Sequence, residues 1–247
     1  MNSVAKVFSA APVGFNGHII EVESDASKGL PGFQVVGMGN KAIDEARERV
    51  KSAITHSLLE FPARKLIVNL APAELPKDGT HYDLPIALAV LIASGQLRQE
   101  EVKGCVFAGE LALDGSVRPV KGIIPIVEAA KEAGLSKAYV PAQNADQASL
   151  VEGIAVLGVS TLRELFLVLK GEVRPPQNAS AFKKVKATCT GPLDDIHGQH
   201  QAKRALLIAA AGHHNILLSG SPGAGKTMLA ERSLRYYQSS QAPSVLP

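Results

Sequence analysis

At 247 residues the chain can hold one large domain or two ordinary ones, and 46% apolar with 20% charged residues is the balance of a folded globular protein. Aromatic residues make up only 4% and Trp is absent, so the core must be built from Ala, Val, Leu and Ile, which suits an α/β protein better than a ligand cage of stacked rings. The net charge of +3 hides an asymmetry: residues 1–170 carry 17 Lys/Arg against 19 Asp/Glu, and residues 171–247 carry 9 against 4, so the larger N-terminal part lacks the basic footprint of a nucleic-acid-binding domain.

Two cysteines, Cys105 and Cys189, stand far apart without a CxxC, which fits a reducing cytoplasm and no disulfide framework. The N-terminus has no apolar leader core, and no run of 18 apolar residues occurs, so a cytoplasmic protein without membrane contact is expected.

In chain order, "HIIEVE" (18–23), "FQVVG" (33–37) and "KLIVNL" (65–70) read as strands. Between the last two lies a helical stripe of Ile43, Ala46, Val50, Ala53 and Ile54, with Asn40 placed to cap it and Asp44 and Glu45 near its positive end. A second helix, 83–95, begins at Asp83, tolerates Pro85 in its first turn and stops at Gly95; it is apolar nearly all round and so is expected to be buried. "GCVFAGELALDGSVRPV" (104–120) predicts two strands, with an Asp114-Gly115 turn, followed by a helix ending at Gly134. "KAYVP" (137–141) and "IAVLGV" (154–159) are further strands, and Thr161 with Glu164 has capping-box spacing before the helix 161–171.

Residues 172–191 lose periodicity and read as an exposed linker. A helix over about 199–211 and a buried strand, "NILLSG" (215–220), then lead into G-x-x-x-x-G-K-T. In that loop, Gly220, Ser221, Pro222, Gly223, Ala224, Gly225, Lys226 and Thr227 are the candidate nucleotide-binding residues. The glycines let backbone N–H groups turn toward phosphate oxygens, Lys226 reaches the β- and γ-phosphates, and the Thr227 hydroxyl is a Mg²⁺ ligand. ATP and Mg²⁺ are therefore the expected ligands. Hydrolysis also requires a carboxylate that supports Mg²⁺ and activates water; after Thr227 the only acid is Glu231, one turn along the same helix. No catalytic residue is assigned.

The segments "SKGLPGFQVVGMGNKAIDEARERVKSAI", "VNLAPAELPKDGTHYDLPIALAVLIASG", "FAGELALDGSVRPVKGIIPIVEAAKEAG" and "LDDIHGQHQAKRALLIAAAGHHNILLSGSPGAGKTMLA" resemble the magnesium-chelatase-like AAA+ ATPases of the YifB/ComM type. The resemblance spans nearly all of residues 4–230 and fails from about Glu231. It implies an α/β chain: a Lon-protease-like, ribosomal S5-like mixed domain over 1–171, a linker over 172–191, the start of a P-loop AAA+ module over 192–230 and an aberrant or disordered tail over 231–247. For full-length relatives it implies homo-oligomeric rings that couple ATP hydrolysis to remodelling of branched DNA in competence and recombination. The match of "DDIHGQ" (194–199) to the family's box beside the adenine makes Ile196 and Gly198 adenine-site candidates; packing and turning the helix entry explain them equally.

Lon-type proteases use a Ser nucleophile in a "PKDGPSAG"-like loop and a Lys base at a later helix start. Here His81 stands at the Ser position and Ile124 at the Lys position, with Lys121 three residues early and expected to point elsewhere, and Thr80 adjacent without an evident base. Covalent peptidase chemistry then has no means to start. The remaining constellations have bland readings: His197, His200, His213 and His214 as polar helix-end residues, His81 and Asp83 as a loop histidine beside a helix cap, Cys105 as a small core residue, "EARERVKS" as a solvated helix face, and "KKVK" (183–186) as a basic linker. The expectation is a truncated member of the family, out of frame soon after Thr227, that binds nucleotide without efficient turnover. The alternative is a non-enzymatic interaction module built on an inactive Lon-like domain.

Overall fold

The computed structural model describes residues 4–14, 16–36, 42–75, 77, 79–175 and 193–239. The chain divides into two units, residues 1–183 and 184–247. Asn40, most of the expected linker, Cys189, the "KKVK" stretch and the final eight residues lie outside the described residues.

The first unit is built on a seven-stranded mixed sheet. Its strands are β1 (Ala5–Val13), β2 (Asn16–Ser27), β3 (Gly32–Val36), β4 (Lys65–Ala71), β5 (Cys105–Phe107), β8 (Lys137–Pro141) and β9 (Ala155–Val159), in the order β3-β4-β2-β1-β5-β8-β9. The pairs β1/β2 and β2/β4 are antiparallel, and the other four are parallel. A separate two-residue hairpin joins β6 (Glu110–Leu111) to β7 (Val117–Arg118), so the stretch read as two strands contains three. At its turn the Asp114 carboxylate accepts from the Ser116 N–H at 2.9 Å, and Gly115 adopts φ +84°.

Helices cover both faces. On one lie α1 (Ala42–His56), α2 (Asp83–Ala93) and α5 (Leu162–Leu169); on the other, α3 (Ile123–Glu132) and α4 (Ala145–Ala148). Successive residues of the central strands therefore enter opposite cores: Phe107 packs with α2 and Val106 with α3. Strand β2 alternates buried and half-buried residues, as a strand with one face on the core should. Gly17 in β2 permits close approach of α3, because a Cβ there would sit 2.0 Å from the Pro125 carbonyl oxygen.

The α1 stripe is buried at Ala46, Val50, Ala53 and Ile54. Strand β1, which carries no strand pattern of its own, pairs with β2 over nine residue pairs. Thr161 accepts the Glu164 N–H at 3.1 Å, while the Glu164 carboxylate takes the Ser160 N–H at 2.8 Å, one residue outside a standard capping box.

The second unit contains a short 3₁₀ turn (Leu193–Asp195), α6 (His200–Ala211) and α7 (Lys226–Ser239). Leu193, Ile196, Leu206 and Leu229 form its small core, with Ala202, Leu218 and Tyr236 against it. Two expectations need correction. Residues 215–220 form no strand, and Leu217 is 91% exposed; a buried parallel strand requires hydrogen-bonded neighbours, and none pairs with this segment among the described residues. Helix α7 runs through Ser239, where an aberrant tail was expected from Glu231; Leu229 and Ser233 are buried, and the Tyr237 hydroxyl donates to the His214 carbonyl at 2.7 Å.

Candidate functional site

The G-x-x-x-x-G-K-T loop leads into the N-terminus of α7, which starts at Lys226. Gly223 and Gly225 adopt φ +81° and +80°, a region that costs other residues strain and that curls the chain around the helix end. The Gln199 side-chain amide, itself preceding α6, donates to the Ala224 carbonyl at 3.2 Å and ties the loop to the neighbouring helix start. Lys226 folds back over the loop: its Nζ donates to the carbonyls of Gly220 at 2.8 Å and Ser221 at 2.7 Å. Thr227 is exposed at the second position of α7.

Ile196 is buried in the small core with Leu229, and Lys203 Nζ donates to its carbonyl; Gly198 turns at φ +71° just before α6. Glu231 is exposed on α7. Among the described residues no three His, Cys, Asp or Glu side chains converge on a metal position.

In the first unit, a cleft of about 490 Å³ is lined by Pro12, Gly79, Thr80, His81, Glu110 and the segment Pro119–Gly122. His81 does not open into it as a reactive group. It is 4% exposed, its Nε2 donates to the Ala10 carbonyl at 3.1 Å, and its ring lies 3.9 Å from that of Tyr82. Burial pulls its pKa from 6.5 down to about 4, so the ring is neutral at physiological pH. Ile124 packs against the α3 core. Thr80, expected to have no evident base, donates its hydroxyl to the Glu110 carboxylate, which lies 3.6 Å from Arg118. Lys121 lines this same cleft, because it precedes α3 and is not bound by the helix phase that the sequence reading applied to it.

Beside the cleft, Asp83 is the first residue of α2 and caps nothing. Its carboxylate, 1% exposed, accepts from Arg49 Nε at 2.7 Å and Nη2 at 3.1 Å, and from the Leu111 N–H at 3.2 Å. The "EARERVKS" face is thus divided: Glu48 and Lys51 face solvent, and Arg49 turns inward.

Because His81 is depressed, the unfolded chain binds its proton between pH 6.5 and 4 while the folded chain does not; stability is full above pH 6.5 and falls as pH drops toward 4. His81→Gln keeps an N–H for Ala10 and removes the titration. Urea unfolding is expected to show the wild type losing about 3 kcal/mol more than the variant across that window. Parallel pH profiles would count against a buried neutral histidine.

A family description, "Subunit ChlI of Mg-chelatase", matches residues 22–144, and a second, "Magnesium chelatase, subunit ChlI", matches residues 192–241. The competence protein ComM of Haemophilus influenzae is 42% identical over 234 residues, and the YifB protein of Escherichia coli is 44% identical over 232, each alignment covering 93% of this chain. The chain belongs to the magnesium-chelatase ChlI-like family. It spans about half the length of these curated relatives, 46% of ComM and 45% of YifB. The first unit has the Lon-protease-like fold: Lon protease of Mycolicibacterium smegmatis is 24% identical over 180 residues, 69% of this chain and 23% of that protein. The second ChlI-like match continues to residue 241, past Glu231, in keeping with the continuous helix α7.

Proposed function

We propose that this ChlI-like chain binds ATP with Mg²⁺ through residues 220–227 and contributes the nucleotide-gripping segment of an ATP-driven motor that remodels DNA. The observation that carries this reading is the conformation of the loop. Two left-handed glycines, Gly223 and Gly225, curl the loop at the start of a helix whose positive end meets the same point. The two carbonyl oxygens now taken by Lys226 mark the reach of its ammonium, and phosphate oxygens would compete for it with a stronger, charge-assisted bond. The donor set fits the nucleotide, and the Thr227 hydroxyl would hold Mg²⁺, which neutralises phosphate charge.

Residues 1–247 on their own are expected to bind nucleotide without efficient turnover, since the acid following the loop, Glu231, is an exposed residue on α7. The motor role, a cytoplasmic location and ring assembly are proposed from the competence naming of ComM and the ChlI-like matches. Calorimetric titration with MgATP tests the site. Lys226→Ala should weaken binding at least about tenfold, the worth of one charge-assisted hydrogen bond, whereas unchanged affinity would refute the assignment.

A second reading, of the Lon-like unit as a binding scaffold without peptidase chemistry, is favoured by the buried neutral His81 and the core-packed Ile124 at the two dyad positions. Labelling of Thr80 by an active-site-directed hydrolase probe would overturn it.

A further inference from the structure

The first unit carries more acids than bases over residues 1–170, yet its bases are not evenly spread. Among the described residues, strand β3 forms one edge of the seven-stranded sheet and pairs only with β4. Two adjoining grooves of about 470 and 720 Å³ run along it and share Gly32, Phe33 and Arg47. Their rims bring together Lys28, Arg47, Lys51, Arg64 and Lys65 from β2's end, α1 and the start of β4, against a single acid among the described lining residues, Glu48. Between the cations the lining is apolar: Phe33 and Phe61 meet with ring centroids 5.6 Å apart, and Leu30 projects 90% exposed beside them. The guanidinium of Arg47 donates to the Phe33 carbonyl at 3.4 Å, so a cation holds that acceptor of the edge strand until an incoming strand displaces it.

We infer that this edge is a docking site for an extended peptide segment of a partner, with acidic side chains alternating with apolar ones. An edge strand offers backbone donors and acceptors that another polypeptide strand satisfies. The side chains of such a strand alternate in direction, so one set meets the Phe33–Phe61 floor and the other the cationic rim. Charge complementarity selects acids, and it argues against residues 172–191 of this chain, where Arg174, Lys183, Lys184 and Lys186 stand against one Glu172. It also favours peptide over nucleic acid. The unit's overall charge is slightly negative, which gives no long-range attraction for a phosphate backbone, and a nucleic acid has no groups to continue a β-ladder. The inference concerns the first unit alone and stands apart from the nucleotide reading.

The test is selection of random short peptides from a displayed library on the 247-residue chain, with an Arg64→Glu/Lys65→Glu variant in parallel. Both side chains are exposed, so the variant is expected to keep the wild-type circular dichroism. The expected result is enrichment of alternating acidic and apolar peptides on the wild type. A synthetic copy should bind at least about tenfold more weakly to the variant, and at least about tenfold more weakly when its central amides are N-methylated, since methylation blocks strand pairing. No enrichment, enrichment without acids, or affinities indifferent to charge reversal or N-methylation would overturn the inference. So would oligothymidine binding that the double variant abolishes, or a dimer of the chain held by this edge, since each gives the groove to another occupant.

Discussion

Arg49→Met is expected to destabilise the first unit by about 3–5 kcal/mol at neutral pH, the usual cost of leaving a buried charge without its partner. The size follows from Asp83. Its carboxylate is 1% exposed and receives three donors, two of them from Arg49. Even with those bonds, burial raises its pKa from 3.8 to about 6. Without the guanidinium the value rises further, because the remaining Leu111 N–H cannot offset desolvation. The sign is that of an acid raised in the folded state: its proton is held by the folded chain more tightly than by the unfolded one, so stability is retained at low pH and lost as pH rises. The deficit of the variant should therefore be small near pH 4 and grow through pH 6 and above. Urea unfolding at several pH values measures it, and a deficit independent of pH would show that the lost packing of Arg49, not the stranded carboxylate, is responsible.

Phe107→Ala should cost about 3–5 kcal/mol, the range for emptying a large buried aromatic position. Phe107 is fully buried in β5, an interior strand of the sheet, and its ring stacks on Tyr139 of β8 with centroids 5.2 Å apart and planes 6° from parallel. Strands β1, β5 and β8 are held in place by neighbours on both sides, so little can collapse into the space left behind. The midpoint in urea, followed by circular dichroism, reports the loss; a change under about 1 kcal/mol would mean that the helices on that face close over the cavity.

What was legible in the sequence was what local spacing encodes. The α1 stripe of Ala46, Val50, Ala53 and Ile54 is a 3.6-residue pattern and is buried as read. The Asp114-Gly115 turn and the Thr161 cap are short-range chemistry and hold. Strand β1 escaped notice because "AKVFSAAPV" mixes Ala, Ser and Pro with few β-branched residues; its place is set by β2 and β5, which are contacts distant in sequence. The same holds for Arg49 and Asp83, which stand 34 positions apart. Residues 215–220 show the converse: the run is apolar but Leu217 is exposed, because burial of a strand depends on partner strands.

The candidate sites divide along the same line. The phosphate loop is a contiguous motif and so is readable from spacing alone; in the structure Gly223 and Gly225 are left-handed and Lys226 folds back onto the Gly220 and Ser221 carbonyls. The cationic groove at β3 draws on residues from 28 to 65, and no local count of charges reveals it. Helix α7 was lost past Glu231 because the small, polar Ser233 interrupts the apolar pattern, although Leu229, Ser233 and Tyr236 share one helical face.

The most direct test of the central claim is to follow the backbone amide resonances of the chain as MgATP is added. If residues 220–227 grip the phosphates, the amides of Gly223, Ala224, Gly225 and Lys226 shift together and saturably, and the same titration of Lys226→Ala moves them little. Saturable shifts elsewhere with this loop unmoved, or no shifts at all, would contradict nucleotide binding at the loop.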